Sequence, residues 1–343
     1  MLEPLDNDNL FFVDNDLNYS THSVEFVHSS ELNKWKDWYC GIGIRYLYIF
    51  FDGDIFKGVC KVGGRLGNIY TDQFPLEKNW IQCPRNLCSC GADMAVPKAK
   101  TIELIEEHFP NSVVNNKKLN IKHSKVDPVV VYSNTNNLFK FVSWDIGRRC
   151  NFDCWYCPSN VHNNFEEHKT YVQLETAYNN LLPWINGEKT KFSFTGGEPT
   201  VYKDYLPFVK RLKKDGHLVM TTTNGSHNEN YYRELAEYSD ICFSIHLNYV
   251  KQYGTDKFIK SIQAATDVRR KNLSAPGIGD PNWVSVRIMC DPGNLETAQE
   301  FYKICKEKFN NIIVSVDSVH QAVNHSYYLY KYSEEEINWI KNV

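Results

Sequence analysis

FKFVSWDIGRRCNFDCWYCPS, residues 139–159, joins a strand-like segment to a loop with three cysteines. Its first part, FKFVSWDI (139–146), has the aromatic and β-branched make-up of a short strand and stops at a glycine. Directly after it, Cys150, Cys154 and Cys157 follow the spacing C-x3-C-x2-C. Three soft ligands that close together can face one point, which indicates a metal or a cluster.

Outward from this stretch the same alternation repeats. Strand candidates follow at KFSFT (191–195), HLVMTTT (217–223), ICFSIHL (241–247), WVSVRIM (283–289) and NIIVSVD (311–317). Helix-like stretches lie between them near 168–182, 203–214, 229–238, 255–271 and 295–308. Six βα-type units with short apolar strands predict an α/β fold with a parallel sheet. The right-handed crossover rule lets that sheet curl into a partial (βα)6 TIM-type barrel. Polar residues gather where the strands end: RRCNFDCWYC, GGEPT, NGS, SIHLN, RIMCDPGN and DSVHQ. The carboxyl ends of parallel barrel strands point the same way, so these six stretches are expected to line one mouth.

The 343 residues suggest about two domains, and a hydrophobic content of 42% with 14% aromatics is enough for a sizeable core. A net charge of −3 and a pI near 6.4 give no electrostatic case for nucleic acid or an anionic membrane. The most apolar run, LYIFF (47–51), is too short to span a bilayer. The start MLEPLDNDN lacks the basic and apolar regions of a signal peptide. The expectation is a cytoplasmic protein, in which 11 cysteines stay reduced rather than forming a disulfide framework. Cys242, Cys290 and Cys305 sit in apolar patterns and read as small core residues.

The other cysteines precede the barrel: Cys40, Cys60, Cys83, Cys88 and Cys90. They punctuate a segment of short strands and glycine turns, in which Asp52-Gly53 signals a hairpin. The expected organisation is a polar, loosely ordered lead-in (1–35), a small β-rich Cys-rich module (36–100) and a connector (101–137). The barrel (138–320) and a C-terminal extension (321–343) follow. Asp93 and Lys98 read as surface residues.

At residues 150–157 two chemistries stay open. A structural zinc site needs a fourth ligand, which His162 could supply; a cluster held by three thiolates leaves one metal position for another group. The motifs resemble the radical S-adenosylmethionine enzymes. C-x3-C-x2-C with an aromatic before the last cysteine follows the first strand, FTGGEP (194–199) ends the second, and TTTNG (221–225) and SIH (244–246) end the next two. The resemblance covers about residues 138–320.

It implies that Cys150, Cys154 and Cys157 bind three irons of a 4Fe–4S cluster whose fourth iron chelates S-adenosylmethionine. Gly196, Gly197 and Glu198 would hold the methionine amino group, and Tyr156 would lie near the adenine. Ser244, with Thr223 or Asn224, would reach the ribose, and Arg287 would meet the carboxylate. Reductive cleavage would release a 5′-deoxyadenosyl radical that abstracts hydrogen from an unidentified substrate, a peptide or protein side chain or a small molecule. An electron donor such as flavodoxin or ferredoxin is implied, and neither a membrane nor a nucleic acid is.

The N-terminal cysteine pattern is similar to the SPASM or twitch modules of the same enzymes, although those normally follow the barrel. It implies an auxiliary 4Fe–4S cluster on Cys60, Cys83, Cys88 and Cys90, with Cys40 as alternate; a structural zinc is the rival there. The rival function is a zinc-dependent Cys-rich binding module without radical chemistry, which leaves GGEP at a strand end unexplained.

Overall fold

The computed structural model describes residues 9–71, 74–76, 79–109, 120–121, 127–133, 139–157, 162–271, 284–310, 312–323 and 326–343. The chain is α/β with mixed sheets and divides into two compact units. The first holds the described residues up to Trp144 together with Gln173–Phe192. The second holds Asp145–Val172 and the described residues from Ser193 onward.

The first unit opens with strands β1 (Leu10–Val13) and β2 (Asn18–His22). The lead-in expected to be loosely ordered is thus a structural element. Leu10, Phe11, Phe12 and Val13 are all buried, because successive strand side chains point to opposite faces and both faces are covered. Leu10 and Phe12 pack with Val27, Trp35 and Met94, while Phe11 and Val13 pack with Ile105, Phe109 and Val129. A four-residue apolar run inside an Asn/Asp-rich stretch carries too little local pattern to mark a strand.

Short strands follow at β3 (Tyr39–Cys40), β4 (Tyr46–Ile49), β5 (Asp54–Phe56), β6 (Arg65–Asn68), β7 (Ile81–Gln82), β8 (Lys98–Ala99), β9 (Asn120–Ile121), β10 (Val130–Ser133) and β11 (Lys140–Asp145). Five of them join β1 and β2 in one seven-stranded sheet in the order β7-β3-β8-β10-β1-β2-β9. The Asp52-Gly53 turn is the hairpin read from the sequence: Ile49 pairs with Ile55, and Gly53 takes φ 91°. That hairpin leaves the other Cys-rich strands, since β4 runs parallel to β11 with Phe141 opposite Tyr46 and Trp144 opposite Ile49. Segment 36–100 therefore contributes to two sheets.

Strand β12 (Thr190–Thr195) is divided between the units. In the second unit it neighbours β13 (Leu218–Thr223), followed in order by β14 (Asp240–His246), β15 (Val284–Cys290) and β16 (Ile313–Ser318). These run parallel, with Thr223 opposite Phe243, Ser244 opposite Arg287, and Met289 opposite Asp317. The five sequence-read helices appear at Tyr171–Ile185, Tyr205–Lys214, Glu229–Leu235, Thr255–Lys271 and Leu295–Lys308. The expected starts of the last two strands, at 283 and 311, lie outside the described residues. β17 (His320–Val323) and β18 (Ser326–Leu329) form a separate pair, and a helix at Glu334–Asn342 starts with a Ser333/Glu336 capping box. No helix among the described residues is long and apolar enough to cross a membrane.

Candidate active site

The loop after β11 is fixed by its backbone before any ligand is considered. Cys150 N–H donates to the Asn163 carbonyl at 2.7 Å, and Asn163 N–H donates to that of Arg148 at 2.9 Å. Glu166 takes the Arg148 N–H on its carboxylate and the Arg149 guanidinium on its carbonyl (2.7 Å). The two arginines are therefore tied into the loop. On the other side, Gly197 N–H reaches the Gly147 carbonyl and Glu198 N–H that of Arg149, both at 2.8 Å. The glycines of GGEP are required by this approach. A Cβ on Gly197 would lie 2.3 Å from the Arg149 oxygen, and one on Gly196 2.5 Å from the Gly147 oxygen.

Glu198 is 1% exposed, and its carboxylate accepts four hydrogen bonds. Oε1 takes the Thr200 N–H (3.0 Å), the Thr200 hydroxyl (2.6 Å) and the Thr223 hydroxyl (2.8 Å); Oε2 takes the Asn224 N–H (2.6 Å). Three donors crowd Oε1, while Oε2 takes one of the roughly two it can accept. These bonds join the ends of β12 and β13, and Oε2, with one donor, keeps acceptor capacity for the expected ammonium. Asn224 is similarly engaged, donating to Asn151 Oδ1 at 2.9 Å and to the Cys150 sulfur at 3.9 Å.

These ends and the cysteine loop enclose an open cavity of about 370 Å³. Cys150, Cys154, Tyr156 and Cys157 form one wall, Thr195–Glu198 and Thr222–Asn224 another. Ser244, His246, Met289, Ser318 and Val319 bring the ends of β14, β15 and β16 to the same space. The expected Cys, Tyr156, Gly196–Glu198, Thr223, Asn224 and Ser244 thus meet at one cavity. Arg287 does not: it is on the same strand face as Met289 one period deeper, half-exposed, and pairs with Asp317 at 3.0 Å.

Burial pushes the thiols up, Cys150 and Cys157 to about 11 and Cys154 to about 12. A cation facing them reverses that preference and favours the thiolates. His162, which could close a zinc site, holds Asp153 Oδ1 through Nε2 at 3.0 Å. His246 was missed as a site residue although SIH marked its strand end. Its Nδ1 lies 2.6 Å from the Tyr156 hydroxyl, and burial lowers it to about 4. Phe152, also missed, lines the cavity and stacks on Tyr249 at 3.6 Å.

In the first unit, Cys40, Cys60, Cys83 and Cys88 line one small cavity with Asp93 and Lys98. Cys90, expected among the ligands, is off that wall and occupies the N-cap of the helix Gly91–Ala95. Asp93 and Lys98, expected at the surface, are 1% and 2% exposed. The Asp93 carboxylate accepts the Val59 and Cys60 N–H groups at 3.0 and 2.6 Å. The Lys98 ammonium donates to the carbonyls of Asp93, Met94 and Val96 and lies over the Trp35 ring at 4.7 Å. Neither charge could be placed inside from sequence, because their partners are backbone groups brought in by the turn. Among the described residues, no group of three or more His, Cys, Asp or Glu converges on a single metal-ion position.

Residues 144–296 match the family described as the radical SAM superfamily. Among curated proteins, the GTP 3′,8-cyclase of Nautilia profundicola is 33% identical over 100 residues, 28% of this chain and 31% of that protein. The Pasteurella multocida GTP 3′,8-cyclase is 30% identical over 107 residues, 31% of each. The chain thus spans about a third of the length of these relatives. Among solved structures, Streptococcus suis SuiB bound to S-adenosylmethionine is 17% identical, covering 59% of this chain and 43% of that one, with a TM-score of 0.40. BtrN in complex with AdoMet and 2-DOIA is 24% identical, covering 35% and 54%, with a TM-score of 0.26.

Proposed function

We propose, from the premise that residues 144–296 are a radical SAM domain, that this chain reductively cleaves S-adenosylmethionine at a 4Fe–4S cluster held by Cys150, Cys154 and Cys157. When bound, the cluster supplies the electron that breaks the sulfonium and frees a 5′-deoxyadenosyl radical for hydrogen abstraction from a peptide side chain or a small molecule. The observation that carries this reading is that three thiols of one loop and the ends of five strands line one cavity. The donor set fits a cluster with one open corner, since the three thiols come from one loop; His162, whose Nε2 holds Asp153, lines the same cavity and is the fourth ligand of the rival zinc site.

The chain's own groups have separable tasks. Gly196 and Gly197 seat the motif against the cysteine loop, and Glu198 with Thr223 and Asn224 locks two strand ends. In this reading the Ser244 hydroxyl meets the ribose and the Tyr156 ring the adenine, both lining the cavity. Phe152, Met289 and Val319 supply apolar wall that limits water. We read the five strands with β11 as the partial barrel of 138–320.

We assign a second, auxiliary 4Fe–4S centre to Cys40, Cys60, Cys83 and Cys88 within a SPASM- or twitch-like segment 36–100. Four thiols around one cavity suit a closed cluster that carries electrons. Its reductant would be a flavodoxin or ferredoxin type of donor, in a cytoplasm that keeps all eleven free cysteines reduced. The test is anaerobic purification followed by dithionite and S-adenosylmethionine. The wild type should contain iron and sulfide and yield 5′-deoxyadenosine, and Cys154→Ala should yield none. Colourless protein with stoichiometric zinc would refute the reading.

A further inference from the structure

The two buried charges of the first unit stand beside the N-terminal thiols. Lys98 is directly opposite Cys40 in the β3–β8 ladder, so the two side chains share one face of the sheet. Cys40, Cys60, Cys83, Cys88, Asp93 and Lys98 line one cavity. The Asp93 carboxylate accepts the Cys60 N–H at 2.6 Å and the Val59 N–H at 3.0 Å, which ties it to the turn that carries Cys60. Gly58 leaves room for that approach, since a Cβ there would lie 2.7 Å from Asp93 Oδ1. Each charge is fixed against a different thiol-bearing segment.

Hydrogen bonding also fixes the charge on Lys98. Its Nζ donates to the carbonyls of Asp93, Met94 and Val96 at 2.5, 3.1 and 2.7 Å. Three donated bonds use all three N–H groups of an ammonium. The Trp35 ring covers it at 4.7 Å, and at 2% exposure water does little to screen it. Three carbonyl dipoles soften the cost of burying that charge without neutralising it. Thiolates on the wall of the same cavity offer it an anionic partner.

We propose that these two buried charges set the reduction potential of the auxiliary centre, Lys98 raising it and Asp93 lowering it. This rests on the reading of Cys40, Cys60, Cys83 and Cys88 as cluster ligands. Reduction adds negative charge to the cluster and its sulfurs. A cation beside them favours the reduced state, and a carboxylate disfavours it. Both groups are hidden from solvent, so salt screens neither as it would at a surface. Arg85 lines the same cavity and donates to the Cys60 carbonyl at 2.6 Å, but it is exposed and its charge is screened.

The test is an EPR-monitored potential titration of the full chain, reconstituted anaerobically. Cys150→Ala, Cys154→Ala and Cys157→Ala are combined as the background, so that the remaining signal comes from the first unit. Metal content is measured alongside and should be about four irons per chain. Lys98→Met should lower the reduced-to-oxidised ratio at a fixed potential about tenfold, which is a midpoint about 59 mV lower for a one-electron couple. Lys98→Arg keeps the charge and should stay near the background value. Asp93→Asn should move the midpoint the opposite way, upward, a reversal of sign that a role in folding alone does not produce. Equal midpoints in Lys98→Met and Lys98→Arg overturn the proposal, as does an unchanged midpoint in Lys98→Met. Where Lys98→Met loads no iron, Asp93→Asn decides, and a midpoint unchanged or lowered there overturns it. A background chain that holds zinc or no iron fails one step earlier, at the ligand assignment, and takes the proposal with it.

Discussion

Gly197→Ala tests whether the GGEP glycines serve the cysteine loop or a ligand. The added Cβ would lie 2.3 Å from the Arg149 oxygen, 2.4 Å from the Arg148 oxygen and 2.6 Å from the Arg148 carbonyl carbon. Ordinary contact begins near 3.4 Å, so the loop must retreat by about 1 Å. All three atoms are backbone, so no side chain can swing aside. Overpacking of this kind costs about 1–3 kcal/mol. The same retreat weakens the bonds from Gly197 N–H to Gly147 and from Glu198 N–H to Arg149, each worth about 1 kcal/mol. A total of about 3 kcal/mol corresponds to a Tm lower by about 4 °C for 343 residues at about 2.1 cal/mol/K each. Gly216 is the control: it has φ +88° with nothing near its Cβ position, so Gly216→Ala should cost only the left-handed penalty of about 1–2 kcal/mol. Differential scanning fluorimetry and iron analysis on anaerobic protein read both effects. Gly197→Ala should lose more stability than Gly216→Ala and lose iron, while Gly216→Ala keeps its iron. A Gly197→Ala protein with wild-type melting and iron would refute the steric argument.

Three further outcomes follow from the geometry. Cys40→Ala should lower the iron content from about eight to about four atoms per chain, as expected for loss of one of two 4Fe–4S clusters, while Cys90→Ala should leave it at about eight. His246 is held at about 4 by burial, below its ordinary value of 6.5, so its contribution to stability is complete above pH 6.5 and is lost as the pH falls toward 4. Urea titrations over that range should therefore show a shallower acid loss in His246→Asn than in wild type. Arg287→Ala should change S-adenosylmethionine affinity by less than about twofold in calorimetry, because its half-exposed pair with Asp317 lies off the cavity wall.

The order of strands and helices after residue 139 was legible because local period and strand-end polarity carry it. HLVMTTT and ICFSIHL appear as β13 and β14 within a residue at each end. The pairing of distant pieces was not legible. LFFV at 10–13 joins strands more than a hundred residues away, with Phe12 opposite Val131. Nothing in four apolar residues names that partner. The same limit applies to the N-terminal thiols: the spacing C-x4-C-x-C favours Cys90, which stands at a helix N-cap, while Cys40, fifty residues upstream on β3, lines the cavity with Cys60, Cys83 and Cys88. Spacing reports proximity along the chain, and a ligand set is a matter of proximity in space.

Glu198 carries the same lesson into the site's chemistry. A carboxylate at a strand end invites a ligand cation, and the resemblance gave it one. With Thr200, Thr223 and Asn224 on its oxygens, the group is already held by the protein before any ligand arrives. Burial pushes its carboxyl up, and the four donors oppose that shift. Removing the carboxylate would leave those donors unsatisfied inside the fold. The consequence is a cavity whose walls are set in advance: β12 and β13 are bolted at Glu198, and the cysteine loop is pinned to β12 through Gly147 and Arg149. The radical chemistry proposed above calls for a site that does not wait for its ligand to assemble it, because each adjustment admits water. The stored cost lies in one buried charge, and the fixed geometry is what that charge obtains.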